Sequence, residues 1–197
     1  MKSNTKWILV AIVAAVLIVG GWLVSAYNSM VSQQEAVTTA WSNVEAAYQR
    51  RADMMPQLAK IVKAYAKHER ETFAEVTKAR NAATQIHLDA NDLTPEKLKA
   101  YEQAQNQLSQ AFSRLIAVSE SYPELKASEN YKSLMVQEEG TENRVNEARR
   151  RYNEAVQGYN LAIRRFPNNI LAGMYGFERM AKFEASQGAE KAPDLDI

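Results

Sequence analysis

The chain has 197 residues, with 24 Lys and Arg against 23 Asp and Glu, 46% hydrophobic residues and no cysteine, a length that fits one domain and not a large two-domain enzyme. Lack of cysteine excludes disulfides, Cys-ligated zinc, iron–sulfur clusters and thiol catalysis. The first 27 residues hold Lys2 and Lys6 and no acid, leaving 22 basic and 23 acidic residues behind them; that balance lacks the basic surface that displaces counterions from phosphates, so no nucleic-acid partner is expected.

After a short N-terminus, residues 1–6, the stretch 7–27 contains no charged residue. As a helix its 21 residues, at about 1.5 Å each, match a hydrocarbon core of roughly 30 Å, so the lipid bilayer is the expected partner of this segment. Trp7, Trp22 and Tyr27 fall near its ends, where amphipathic rings prefer the headgroup region. Val24-Ser25-Ala26 would suit a signal peptidase, but the apolar run exceeds the usual signal-peptide core, and a retained anchor is the preferred reading. Lys2 and Lys6 precede the span and no Lys or Arg follows it until Arg50. This asymmetry predicts a single-pass protein of the bacterial inner membrane with a cytoplasmic N-terminus and an extracytoplasmic, periplasmic body, the opposite topology being the alternative. Ala11 and Ala15, and Gly21 and Ser25, are small residues four apart that let neighbouring helices approach, although such pairs also recur by chance in spans.

Only seven glycines and five prolines in the whole chain, and no sustained alternation of β-branched residues in 28–185, predict for that stretch an all-α domain, an antiparallel bundle of about four long helices with coiled-coil-like packing. A first body helix, continuing from the anchor to about Asp53, carries Met30, Val37, Trp41, Val44 and Tyr48 on one stripe. Pro56 predicts a kink or tight break, followed by a second helix to about Leu88 with Leu58, Ile61, Val62, Tyr65, Phe73, Val76, Ala83 and Ile86 inward. Thr94 as cap, Pro95 in the first turn and Glu96 beside the positive helix end open a third helix, to about Ser121. Tyr131, Leu134, Glu138, Thr141, Val145, Ala148, Tyr152, Ala155, Tyr159, Ala162 and Phe166 then alternate by three and four, a heptad seam on one helix of nearly 40 residues. Ile170 to Glu184 reads as a short amphipathic segment folded onto the bundle, and 186–197 as a disordered tail.

Glu138 and Thr141 interrupt that seam, with Glu142 and Arg144 beside them. A polar layer in a bundle most often fixes register through an acid paired with Arg or a hydroxyl, although an open pocket there would bind a ligand. His68 and Glu69 interrupt the second stripe as a polar patch, and Arg51 and Asp53 complete the set of candidate interaction residues. Neither histidine ends a Glu-x-x-His pair, and no phosphate-binding glycine loop, nucleophile elbow or His-Glu-x-x-His string occurs, so no catalytic residue, cofactor or metal site is expected. The run Arg149-Arg150-Arg151 with Glu147 and Glu154 reads as a solvated face laced by ion pairs.

Several ordered strings carry a family likeness: Arg50-Arg-Ala-Asp-Met-Met-Pro-Gln-Leu58, Lys63-Ala-Tyr-Ala-Lys-His-Glu69, and Leu125 to Pro167 with Tyr131, Glu142-Asn-Arg144, Tyr152-Asn153 and Tyr159-Asn160. Over roughly residues 5 to 183 the chain closely resembles the LemA family of bacterial proteins. The resemblance implies one N-terminal transmembrane helix and a helical body, and supplies no catalytic residue. The family is commonly described with its bulk in the cytoplasm, the reverse of what Lys2 and Lys6 predict here. The expected function is a non-enzymatic, membrane-anchored helical scaffold or interaction protein that assembles into homo-oligomers, with other membrane proteins as further candidate partners. An extracytoplasmic sensor with a pocket at the polar layer is the second reading, and an unsigned hydrolase or metalloenzyme the third.

Overall fold

The computed structural model describes residues 2–66, 68–90 and 93–184, and the tail expected from Ser186 lies outside them. Six helices follow one another: α1 (Lys2–Tyr65), α2 (Arg70–Gln85), α3 (Pro95–Glu120), α4 (Pro123–Ala127), α5 (Glu129–Arg164) and α6 (Asn168–Tyr175), with no strand among the described residues. The fold is an all-α bundle carrying a long apolar N-terminal helix, as the residue patterns predict.

From Trp7 to Val24 no residue of α1 is buried, and Ile18 is 73% exposed. Water would not tolerate so long an apolar surface, whereas a membrane would, and by length and composition the segment can cross one. Burial begins at Ala26 and Met30, where the same helix becomes the first member of the bundle.

The break expected at Pro56 does not occur. The helix continues through Pro56 to Tyr65, so Leu58 and Val62 are core residues of α1 and not of a second helix, which starts only at Arg70. Proline removes the N–H that would bond the carbonyl four residues back. That carbonyl belongs to Ala52, and Arg80 Nε, reaching over from α2, donates to it at 3.2 Å.

The third helix starts as its residues dictate: Thr94 Oγ1 accepts from the Lys97 amide at 3.3 Å and Pro95 takes the first turn. Ser128 plays the same part for α5, accepting from the Tyr131 amide at 3.3 Å. Gly176 ends α6 at φ 74°, a left-handed conformation that costs glycine little, and its N–H returns to the Ala172 carbonyl.

Helices α1 and α5 run antiparallel along the length of the body. Thr141 meets Met54, Glu142 meets Arg51, Tyr152 meets Trp41, and a Cβ on Gly158 would lie 3.0 Å from Gln33 Oε1. Except at the half-buried Glu138, the buried stripe of α5 follows the predicted heptad as far as Tyr152. Beyond it Val156 and Ile163 are buried in place of Ala155 and Ala162, and Phe166 is 81% exposed. An α-helix turns every 3.6 residues, so a strict 3.5-residue seam drifts around it unless the helix supercoils.

Two apolar cores stack end to end. The membrane-proximal one gathers Met30, Val37, Trp41, Val44, Tyr48, Tyr101, Tyr152, Val156 and Tyr159. The distal one gathers Met55, Leu58, Val62, Val76, Leu108, Phe112, Leu115, Leu125 and Leu134. In the first, Trp41 packs against Tyr101, Tyr152 and Phe183 with centroids 5.3, 5.5 and 6.1 Å away, contacts each worth about 0.5–1.5 kcal/mol beyond burial.

Only the first half of the segment expected from Ile170 to Glu184 is helical; after Gly176 the chain lies non-helical along α5. Asn160 donates from Nδ2 to the Met180 carbonyl at 2.9 Å and accepts from the Met180 amide at 3.1 Å. Asn153 makes the same pair with Phe183, at 3.0 and 2.9 Å. Seven helical residues advance about 10.5 Å and three extended residues about 10 Å, so the two asparagines keep step with residues 180 and 183.

Candidate functional site

The polar residues singled out in the sequence divide into two groups. Arg51, Glu138, Thr141 and Glu142 converge where α1 and α5 cross the boundary between the two cores: Tyr48 and Val145 belong to the proximal core, Ala52 and Leu134 to the distal one. His68 and Glu69 lie instead at the α1–α2 connection, about 22 Å further along α1 by helical rise. There His68 is exposed, and Glu69 supplies a backbone carbonyl to the Phe73 amide at 3.3 Å and no side-chain cap. Arg144 is exposed, and Asp53, also exposed, accepts from Gln49 at 2.9 Å and lies 3.7 Å from Arg80.

Thr141 is 1% exposed and satisfies its hydroxyl locally, donating to the Gln137 carbonyl at 2.8 Å with Met54 Sδ 3.3 Å away. Arg51 is 8% exposed, and its Nη2 lies 2.6 Å from Glu142 Oε2. The contact is an ion pair, and both Arg51 Nε and Glu142 Oε2 are buried without a hydrogen-bond partner. Glu138 is half-buried at the edge of the seam, not within it as the heptad placed it. Burial raises its pKa above the ordinary carboxylate value; Arg51 opposes the shift, and Glu142 and Glu139 add to it.

The opposite side of the same level holds a cavity of about 50 Å³ lined by Glu45, Tyr48, Tyr101, Gln105, Thr84 and His87, among others, room for one or two waters. Gln105 Nε2 donates to the Ala83 carbonyl at 3.3 Å and its Oε1 has no partner. Burial raises the pKa of Glu45, partly offset by Trp41 and His87, and raises that of Tyr101. The boundary between the cores is therefore polar on both sides of α1. Gln105 was missed in the sequence because one amide in an apolar stripe carries no pattern.

The arginine run is a second partial surprise. Arg150 pairs with Glu147 and Glu154, and Arg151 with Glu147, as expected of a solvated face. Arg149 instead crosses to α3, where its Nη2 lies 2.6 Å from Glu102, and its guanidinium sits 4.6 Å over the Phe183 ring. A neighbour in sequence lies about 100° around a helix, so adjacent arginines reach different partners. Among the described residues no three His, Asp or Glu converge in a way that would hold a metal ion.

Comparison with known proteins matches a model of the LemA family to residues 40–196. Magnetosome protein MamQ 1 of Paramagnetospirillum magneticum is 28% identical over 179 residues, covering 82% of this chain and 66% of that protein. Magnetosome protein MamQ of Magnetospirillum gryphiswaldense is 28% identical over 178 residues, covering 82% and 65%. Protein LemA of Metamycoplasma hominis is 26% identical over 160 residues, covering 81% and 69%. The chain thus spans slightly less than two thirds of the length of the magnetosome proteins it matches.

Proposed function

The chain belongs to the LemA family, and from that membership and its architecture we propose that it is a non-enzymatic, membrane-anchored scaffold that assembles with copies of itself. The observation that carries this reading is the continuity of α1, one helix of 64 residues that is both the exposed apolar span and the first member of the bundle. A bundle built on the same helix as its anchor moves with that anchor as one body. Membrane confinement raises effective concentration, so weak contacts between copies suffice for assembly. On the span, Ala11, Ala15, Gly21 and Ser25 are exposed, and a Cβ on Gly21 would meet nothing within 4 Å, the surface that close helix approach uses. In the body the buried polar groups are mostly spent on joining helices, which favours a structural role over a catalytic one. We place the N-terminus in the cytoplasm on the strength of Lys2 and Lys6.

The test uses the absence of cysteine. A single Cys at Ala11 or Gly21 in the full-length protein should give oxidative cross-links in native membranes. The reading fails if neither position cross-links and the solubilised protein stays monomeric over a wide concentration range.

A second reading, a sensor for a small anionic ligand, is favoured by one observation: the buried, unpartnered Arg51 Nε. It predicts a concentration-dependent rise in Tm with inorganic phosphate or a small carboxylate that disappears in Arg51→Met.

A further inference from the structure

The end of the bundle nearest the span is the least like a soluble surface. Past Tyr27, the exposed large hydrophobic side chains among the described residues are Tyr65, Val136, Leu161, Phe166, Ile170, Met174 and Tyr175, so five of seven fall between 161 and 175. Helix α6 buries Leu171 and Ala172 on the body while Ile170, Met174 and Tyr175 face out at 55, 73 and 60% exposure. A helix apolar on both sides is normally enclosed, and on a soluble surface this one would be anomalous.

Its location follows from two independent observations. Tyr27, the last residue of the apolar stretch, packs against Tyr175 and Phe177 with ring centroids 5.0 and 5.8 Å apart. The antiparallel register that sets Tyr152 against Trp41 and Gly158 against Gln33 carries Arg164 to the level of Ser29 and Phe166 to that of Tyr27. Charge follows the same plan. Arg164 and Arg165 are exposed, no acid occurs between Ala155 and Phe177, and α1 has none before Glu35, although Glu178 lies just beyond α6.

We propose that α6 and the Phe166 turn form a second membrane contact, with Phe166, Ile170, Met174 and Tyr175 in the headgroup–acyl boundary and Arg164 and Arg165 on anionic lipid headgroups. The proposal rests on the span reading and extends it. Two contacts, the span and α6, fix the tilt and rotation of the bundle, which one helix crossing a bilayer leaves free. A short apolar element flanked by arginines suits the headgroup–acyl boundary, where large apolar side chains enter the lipid and cations meet anionic headgroups.

The experiment uses full-length protein with single cysteines at Phe166, Met174, Val136 or Val13, each carrying an environment-sensitive fluorophore. The proteins are reconstituted into phosphatidylcholine vesicles with and without phosphatidylglycerol, and into matching vesicles that hold a lipid nitroxide at shallow or deep position. Probes at 166 and 174 should emit blue-shifted and be quenched several-fold more by the shallow nitroxide than the probe at Val136. Phosphatidylglycerol should strengthen that quenching, and Arg164→Glu with Arg165→Glu should abolish the strengthening. Emission at 166 and 174 like that at 136, while the Val13 probe is quenched by the deep nitroxide, overturns the α6 contact and leaves the span intact. A blue shift at 166 and 174 without lipid quenching means that protein covers the face and overturns it too. An unquenched Val13 probe overturns the span and, with it, this proposal.

Discussion

Arg80 Nε lies 3.2 Å from the carbonyl oxygen of Ala52, the acceptor that Pro56 leaves without its helical donor. A proline inside a long helix is thus accommodated by a guanidinium from the next helix, and the same contact ties α2 to α1. Arg80→Met should lower stability by about 1–2 kcal/mol, because a charged hydrogen bond to a partly buried carbonyl is lost. For a chain of this size that is a fall of about 3–6 °C in Tm, read by thermal unfolding of the full-length protein in detergent. Pro56→Ala restores an N–H at the same carbonyl, so the loss should shrink in the double variant. Additive effects would remove this account of Pro56.

At the boundary between the cores, Arg51 faces Glu142 and Glu138. Arg51→Met should cost about 2 kcal/mol near pH 7, below the range for fully buried pairs because Glu142 is 40% exposed. The folded pKa of Glu138 is already raised, so its ionised form opposes folding. That penalty is absent below the ordinary carboxylate range, sets in as pH climbs through it, and is complete above the raised value. Without Arg51 the value should climb further, seen as a higher midpoint for the Glu138 carboxyl in an NMR titration. The variant should accordingly lose more stability at neutral than at acid pH.

The asparagine clamps make a local prediction. Asn160→Ala removes two hydrogen bonds to Met180 and should cost about 1–3 kcal/mol. Amide exchange at Met180 and Phe183 should accelerate while α5 stays protected. Uniform acceleration through α5 would mean that the segment is integral to the core instead of laid upon it.

For self-assembly the sharpest variant is Gly21→Leu. Nothing in one copy lies within 4 Å of a Cβ there, so the change should leave the Tm within about 1 °C, in keeping with surface substitutions away from any contact. If copies approach along Gly21 and Ser25, cross-linking from Ala11→Cys should fall several-fold. Undiminished cross-linking would place the contact elsewhere.

Much of the fold was legible because helices are local. The Thr94 cap, the span and the stripe of α1 through Trp41 and Tyr48 follow from neighbours within a turn or two. The candidate site was partly legible: the break in the apolar seam marks Thr141 and Glu142, whereas the pairing of Glu142 with Arg51 crosses the bundle and has no signal along the chain. Glu138 fell to the edge, and His68 and Glu69 fell to a different end of the bundle. Gln105 and the cavity it lines gave no signal in one dimension.

What the residues alone determined was the division of the chain into an apolar span and a helical body, each read from periodicity and transfer from water. What tertiary structure decided was every pairing that crosses the bundle. Pro56 breaks a helix in isolation, and an arginine 24 residues later supplies the missing donor. Along the chain Lys2 and Lys6 stand alone beside the span, yet the antiparallel return of α5 brings Arg164 and Arg165 to its other end. Local sequence fixes which way each side chain points on its own helix, whereas the field and partners it meets depend on helices distant in the chain.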